Sequence, residues 1–285
     1  MKIGLMHVMA AYENTPEADY VKTWNKFVRE NINMVKQEGT EVTFQIPRRG
    51  AGAEATQYKF MNALNDTETL YGYMELGRAG IYDAVIGLCF FDTMAREARQ
   101  ALDIPFFTPG EVAMRLACLM GYKFGVVTAS ESASLIVEEN IKKYGLRENA
   151  VRVRGLRMDL GMDAWVKIHT DAHSIIHGFI EVGRRLIEDG AEIIIPGCMA
   201  VDPVLPLAPG CKNDFPQGLR EIDGVPVMNV TALTIKVAES FVIMKNAGLP
   251  WISRKLYFAS AKNDKKALET GAPLLKYNGP GFWLD

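Results

Sequence analysis

Cys89 and Cys198 are the residues of this chain whose type and spacing could do chemistry. Each ends an apolar run patterned as a buried strand: Tyr82-Asp83-Ala84-Val85-Ile86-Gly87-Leu88 in one case, Ala191-Glu192-Ile193-Ile194-Ile195-Pro196-Gly197 in the other. Each then opens a turn or helix start. Open α/β sheets place their chemistry at the carboxyl ends of strands. Two thiols delivered there by two related half-sheets would face one substrate from opposite sides. A helix N-terminus lowers a thiol's pKa, so one sulfur would remove a proton from a carbon acid while the other donates one. The hydrogen beside a carbonyl is only weakly acidic, so the developing enolate oxygen needs preorganised donors. The backbone N–H groups of Phe90, Phe91, Met199 and Ala200 are the candidates. This scheme calls for no cofactor.

The elements that must position these residues alternate between strand and helix patterns, which argues for a mostly parallel α/β architecture. Strands are expected over Lys2–Val8, Glu41–Ile46, Asp83–Leu88 and Ile104–Phe107. Helices are expected over Glu17–Gln37, Thr56–Ala79 and Thr93–Leu102, the last running directly from the first cysteine motif. The second half then starts again. Lys123-Phe124-Gly125-Val126-Val127-Thr128 echoes Lys2-Ile3-Gly4-Leu5-Met6-His7, and Val225-Pro226-Val227-Met228 echoes Ile104-Pro105-Phe106-Phe107. Between them lie a helix at Ala133–Tyr144, a strand at Ala150–Arg154, a long helix at Ala164–Asp189 and a strand at Ile193–Ile195. A repeat this long implies two similar domains rather than a solenoid. The expected fold is two doubly wound parallel-sheet domains related by a pseudo-two-fold, with the active site in the cleft between them. Residues 1–109 with 229–285 make the first domain and residues 110–228 the second. Helices at Glu111–Met120 and Thr231–Ala247 cross between them. The Pro- and Gly-rich stretch Asp202–Asp223 is either a flap over the cleft or a solvated connector. The aromatics of the tail after Pro250 are expected to pack on the first domain or a neighbouring subunit, which leaves room for self-association.

Other candidate residues carry two readings each. His7, at the end of the first strand, could hydrogen-bond a substrate oxygen or assist proton transfer; it could equally be a loop histidine bonded to backbone. Thr128 and Ser130 hold the corresponding place in the second half. Asp92 and Asp202 each follow a cysteine closely and are read as turn or helix caps before any role in orienting the site. Glu111 opens a helix, where it would cap or touch substrate. Cys118 sits at core helix spacing and reads as a small buried hydrophobe, and Cys211 reads as structural before any redox or gating role. His169, His173 and His177 recur every four residues, but along one straight helix they would span about 12 Å, too far for one metal ion.

Composition narrows the classes further. The 285 residues carry 34 acidic and 32 basic side chains, a net charge of −2, so nothing invites nucleic acid. The chain has no apolar run long enough for a membrane span, and its N-terminal apolar stretch is too short for a signal peptide. Four cysteines without CxxC or zinc spacing suggest reduced thiols, no metal site, and a cytoplasmic location. No Gly-rich phosphate loop is present, which disfavours nucleotide binding. The expected partner is a small molecule with a carboxylate, amide or imide carbonyl.

The chain resembles the aspartate/glutamate/hydantoin racemase superfamily, nearest its hydantoin racemase branch. The resemblance rests on Cys89-Phe90-Phe91-Asp92 followed by Ala95-Arg96-Glu97-Ala98, then Pro109-Gly110-Glu111-Val112-Ala113 and Gly125-Val126-Val127-Thr128. It continues with Gly197-Cys198-Met199-Ala200, Val225-Pro226-Val227 and Lys236-Val237-Ala238-Glu239. Such a resemblance implies two similar α/β domains and cofactor-independent proton transfer by Cys89 and Cys198, with Thr128 as a substrate-binding hydroxyl. Two departures, Phe91 and the strand end His7-Val8-Met9-Ala10, favour a substrate other than hydantoin itself, with an apolar portion. The superfamily also implies decarboxylases and cis–trans isomerases as alternatives, although a decarboxylase would need one cysteine and two are kept. A two-lobed binding protein is the contrasting class.

Overall fold

The structure, a computed structural model, describes residues 1–9, 16–52, 58–156 and 162–275. Its first sheet is built from β1 (Lys2–Met6), β2 (Glu41–Gln45), β3 (Ala84–Gly87) and β4 (Phe106–Phe107), all parallel, in the order β2-β1-β3-β4. The second is built from β5 (Phe124–Thr128), β6 (Arg154–Gly155) and β7 (Ile193–Pro196), also parallel, in the order β6-β5-β7. A single bridge from Ile194 to Val227 supplies the counterpart of β4. The repeat read from the sequence is therefore a repeat of register. Gly4 pairs with Val85, which pairs with Phe106; Gly125 pairs with Ile194, which pairs with Val227.

Alternation along the strands explains how each sheet is covered. Ile3, Leu5, Ala84 and Ile86 point to one face and join the main core with Trp24, Val28 and Ile32 of α1 (Pro16–Asn33). Met6 and Val85 point to the other face and pack with Tyr73 and Leu76 of α2 (Lys59–Arg78) and Ala95 and Ala98 of α3 (Ala95–Ala101). In the second half, β5 is covered by α4 (Pro109–Met120), α5 (Glu131–Tyr144) and α7 (His173–Glu188), with the short α6 at Met162–Lys167. The crossing helices are present. α4 leaves β4 and packs on β5 and β7 of the other half, and α9 (Val230–Asn246) returns to pack on β3, β4 and α1. The two helices also pack on each other. No helix among the described residues is long and apolar enough to cross a membrane.

Four local expectations are corrected. The helix after Cys89 begins at Ala95, not Thr93, because Asp92 and Met94 take left-handed backbone (φ 55° and 48°) that a helix cannot accept. The long helix at Ala164–Asp189 is broken. Ala172 N–H is diverted to the Pro209 carbonyl (2.9 Å), and Asp171 accepts the His173 N–H (3.1 Å) to start α7 afresh. His169 thus lies in the intervening turn, off the helix that carries His173 and His177. The stretch Asp202–Asp223 is not a solvated connector. It buries Val204, Leu205, Ala208, Cys211, Leu219 and Ile222, with α8 at Val204–Leu207 and an antiparallel pair, β8 (Glu221–Ile222) and β9 (Val225–Pro226). Cys118 is half-buried rather than buried, its thiol donating to the Met114 carbonyl.

The chain after Pro250 packs on α3. Arg254 donates to the carbonyls of Arg99 (2.9 Å) and Leu102 and lies over the Trp251 ring, while Arg96 lies over Tyr257. Tyr277, Phe282 and Trp283 lie outside the described residues.

Candidate active site

β3 and β7 deliver the two cysteines at equivalent positions. Leu88 N–H closes the ladder onto the Met6 carbonyl (2.8 Å), Gly197 N–H onto the Val127 carbonyl (2.7 Å), and each cysteine is the next residue. Each then turns on its own carbonyl: Cys89 O accepts from Asp92 N–H (3.1 Å), and Cys198 O from Val201 (3.0 Å) and Asp202 (2.9 Å). Both cysteines are free of disulfides and, as whole residues, half-buried.

The aspartates that follow are caps, each spanning to the helix that leaves its sheet. Asp92 accepts from Gly110 N–H at the start of α4 (2.9 Å) and from the Tyr144 hydroxyl (2.8 Å). Asp202 accepts from Val230 N–H (2.7 Å), Thr231 N–H (2.9 Å) and the Thr231 hydroxyl (2.6 Å) at the start of α9. These contacts tie each cysteine loop to a helix dipole's positive end. The fit is close at α4: a Cβ on Gly110 would stand 2.3 Å from the Phe90 carbonyl and 2.6 Å from Asp92 Oδ2. Burial nevertheless pushes both carboxyls up to about 6. Glu111 is spent on Arg99 (2.6 Å) and Arg115 (2.9 Å); burial lifts its carboxyl, but the two guanidiniums outweigh that and hold it below its ordinary value.

The two cysteine loops share a wall. Leu88, just before Cys89, and Met199, just after Cys198, line one small apolar cavity of about 10 Å³ with Leu5, Ile32, Ile86, Pro109, Thr231, Thr234 and Ile235. That volume is about the room of one water molecule.

Electrostatics keep the thiols protonated. Burial pushes Cys89 up to about 12, opposed by the Phe91 amide and Thr93 hydroxyl beside the sulfur and aided by Asp66 and Asp92. Burial raises Cys198 as well, opposed by the amides of Ala200 and Val201 and aided by Asp202. The expected lowering by a helix start is thus outweighed by burial and by carboxylates. Phe90 and Met199 are themselves buried, and their N–H groups have no hydrogen-bond partner among the described residues. Phe91 and Ala200 are partly exposed.

His7 is buried, and its Nδ1 accepts the Met9 N–H (2.9 Å). Burial holds its pKa down to about 4, so the ring is neutral at pH 7. It stands edge-on to Trp24 with centroids 4.7 Å apart. Thr128 is fully buried, its hydroxyl engaged with Ser134 Oγ (2.7 Å) and the Ser130 carbonyl (2.9 Å). Ser130 caps α5 by accepting the Ala133 N–H (3.2 Å). Both hydroxyls, as placed, brace the second half's loop.

Sequence reasoning passed over Tyr20 and Tyr73, each of which is electrostatically coupled to one thiol. The buried Tyr20 phenol is pushed far up by burial and then by Cys198. Tyr73 is raised by burial and then by Cys89; its hydroxyl is buried, unpartnered, and 2.3 Å from where a Cβ on Gly87 would lie. His169 packs edge-on to Tyr20 and Phe27, donates from Nδ1 to the Trp165 carbonyl (3.0 Å) and leaves a buried Nε2 without partner. Tyr20 and Trp24 lie at core helix spacing, so pattern alone reads them as packing.

A model of the Asp/Glu/Hydantoin racemase family matches residues 24–238. The chain belongs to that family. A hydantoin racemase of Rhizobium meliloti is 26% identical over 166 residues, covering 58% of this chain and 63% of the relative, so the match spans less than two thirds of that protein. In solved structures the fold is that of allantoin racemase from Klebsiella pneumoniae (TM-score 0.68, 19% identity, 91% of this chain and 93% of the other). It is equally that of allantoin racemase from Pseudomonas fluorescens (TM-score 0.66, 22% identity, 91% and 97%).

Proposed function

We propose that the chain is a cofactor-independent racemase or epimerase that moves a proton at a carbon beside a carbonyl or carboxylate, with Cys89 and Cys198 as the acid/base pair. The observation that carries this reading is the equivalence of the two thiols at the ends of β3 and β7, with Leu88 and Met199 walling one cavity. In the scheme, one sulfur as thiolate takes the α-proton while the opposite thiol delivers its own to the other face. Afterwards the two have exchanged states. Burial raises both sulfurs, so each must be brought to its thiolate before it serves as the base. The unpartnered amides of Phe90 and Met199 are suited to hold the enolate oxygen. The charged groups that act on the sulfurs among the described residues are carboxylates, Asp66, Asp92 and Asp202. That surrounding favours an uncharged amide or imide carbonyl over a dicarboxylate, in keeping with relatives named for hydantoin and allantoin.

The test is to incubate the protein with enantiopure substituted hydantoins and 2-substituted carboxylic acids in deuterated water. The expected result is deuterium at the α-carbon with loss of optical rotation and no loss of material. Cys89→Ser and Cys198→Ser should each lower that exchange by roughly 10²- to 10⁴-fold. Full turnover in both variants would overturn the pair, release of carbon dioxide would make the chain a decarboxylase, and binding without exchange would make it a receptor.

A further inference from the structure

The loop behind each cysteine is held by a helix of the opposite half. Trp24, on α1 of the first half and 1% exposed, donates its indole N–H to the Met199 carbonyl (2.8 Å). Seven residues on, Asn31 donates to the Pro203 carbonyl (2.9 Å). The second half answers from α5. Asn140 donates to the Phe91 carbonyl (2.9 Å), and Tyr144 to Asp92 (2.8 Å). The peptide unit is planar and trans, so fixing its oxygen fixes the N–H on the other side. The Met199 carbonyl and the Ala200 N–H belong to one such unit, and that N–H is one of two, with that of Val201, that face the Cys198 sulfur. The Phe91 carbonyl shares its unit with the Asp92 N–H, which closes the turn on Cys89 O and so sets the Phe91 amide against the Cys89 sulfur.

We propose that Trp24 and Asn140 are positioning residues that work crosswise, Trp24 setting the reactivity of Cys198 and Asn140 that of Cys89. This deepens the acid/base assignment and rests on it for its catalytic meaning. The bracing itself can be read without turnover. The measurement is the rate of iodoacetamide alkylation at each cysteine of the full chain, followed by peptide mass spectrometry between pH 7 and 9. Loss of a hydrogen bond behind a thiolate-facing amide should slow its sulfur by roughly three- to tenfold. Trp24→Phe, which keeps an aromatic ring in place, is expected to slow Cys198 and leave Cys89 within about twofold. Asn140→Ala should do the reverse. Equal slowing of both sulfurs in either variant, or no change at the opposite-half sulfur, overturns the proposal. The Asn140 variant is read independently, so a poorly folding Trp24 variant does not remove the test. Crossed reactivity without any α-proton exchange would sink the racemase reading and leave the bracing intact.

Discussion

A thiol serves as a base only once it has lost its proton, and here burial opposes that loss at both sulfurs. The consequence is a steep pH dependence. Below its pKa a thiol's thiolate fraction grows tenfold per pH unit, so Cys89, shifted up to about 12, should alkylate with a rate still rising log-linearly at pH 9. A Cys89 profile that levels near pH 8.5 would contradict the burial account. Tyr73 poses a second residue-scale question, because a buried hydroxyl without a partner costs free energy. Tyr73→Phe is therefore expected to leave the unfolding midpoint unchanged or raise it, measured by thermal denaturation.

At the scale of elements, the caps decide how the site is held. Asp202→Ala removes three acceptor contacts at the start of α9 and should cost about 1–3 kcal/mol in chemical denaturation. The pH dependence has a definite sign. Asp92 and Asp202 have folded values near 6, above the ordinary 3.8, so between about pH 4 and 6 the folded chain binds more protons than the unfolded one. Their contribution to stability therefore falls as pH rises through that window and is level above it. Asp92→Asn with Asp202→Asn should flatten that slope in urea midpoints measured from pH 4 to 7. Gly110→Ala forces a Cβ against the Phe90 carbonyl at the α4 start. It should cost about 1–3 kcal/mol and change Cys89 alkylation, since the cysteine loop must move to admit it.

For the whole molecule, the halves are joined by exchange of helices: α4 and α9 each leave one sheet to cover the other. The segment after Pro250 is an addition to this plan, docked on α3 through Arg254. Arg254→Ala should lower the melting temperature by about 2–5 °C through lost hydrogen bonds to partly buried carbonyls. It should leave the alkylation rates of Cys89 and Cys198 unchanged, because Arg254 bonds to none of the residues that brace the cysteine loops, Trp24, Asn31, Asn140 and Tyr144.

The strands, the repeat and the two cysteine positions were legible in the sequence because they are local. Alternation and apolar runs depend on neighbours in the chain, and Gly4 with Gly125 marked a register that both sheets keep. The caps by Asp92 and Asp202 were legible for the same reason in part, since an aspartate close behind a strand end is a common cap. Tertiary structure decided everything that joins distant segments. Only packing shows Trp24 reaching Met199 across 175 residues, or Tyr20 and Tyr73 coming within electrostatic reach of the thiols. It also turned the Pro- and Gly-rich stretch after Cys198 into core, because burial of Val204, Leu205 and Leu219 depends on which surface the chain meets. Thiol reactivity belongs to this second class too. A sulfur's pKa is set first by the solvent it loses, and that burial is not written in the residues beside it.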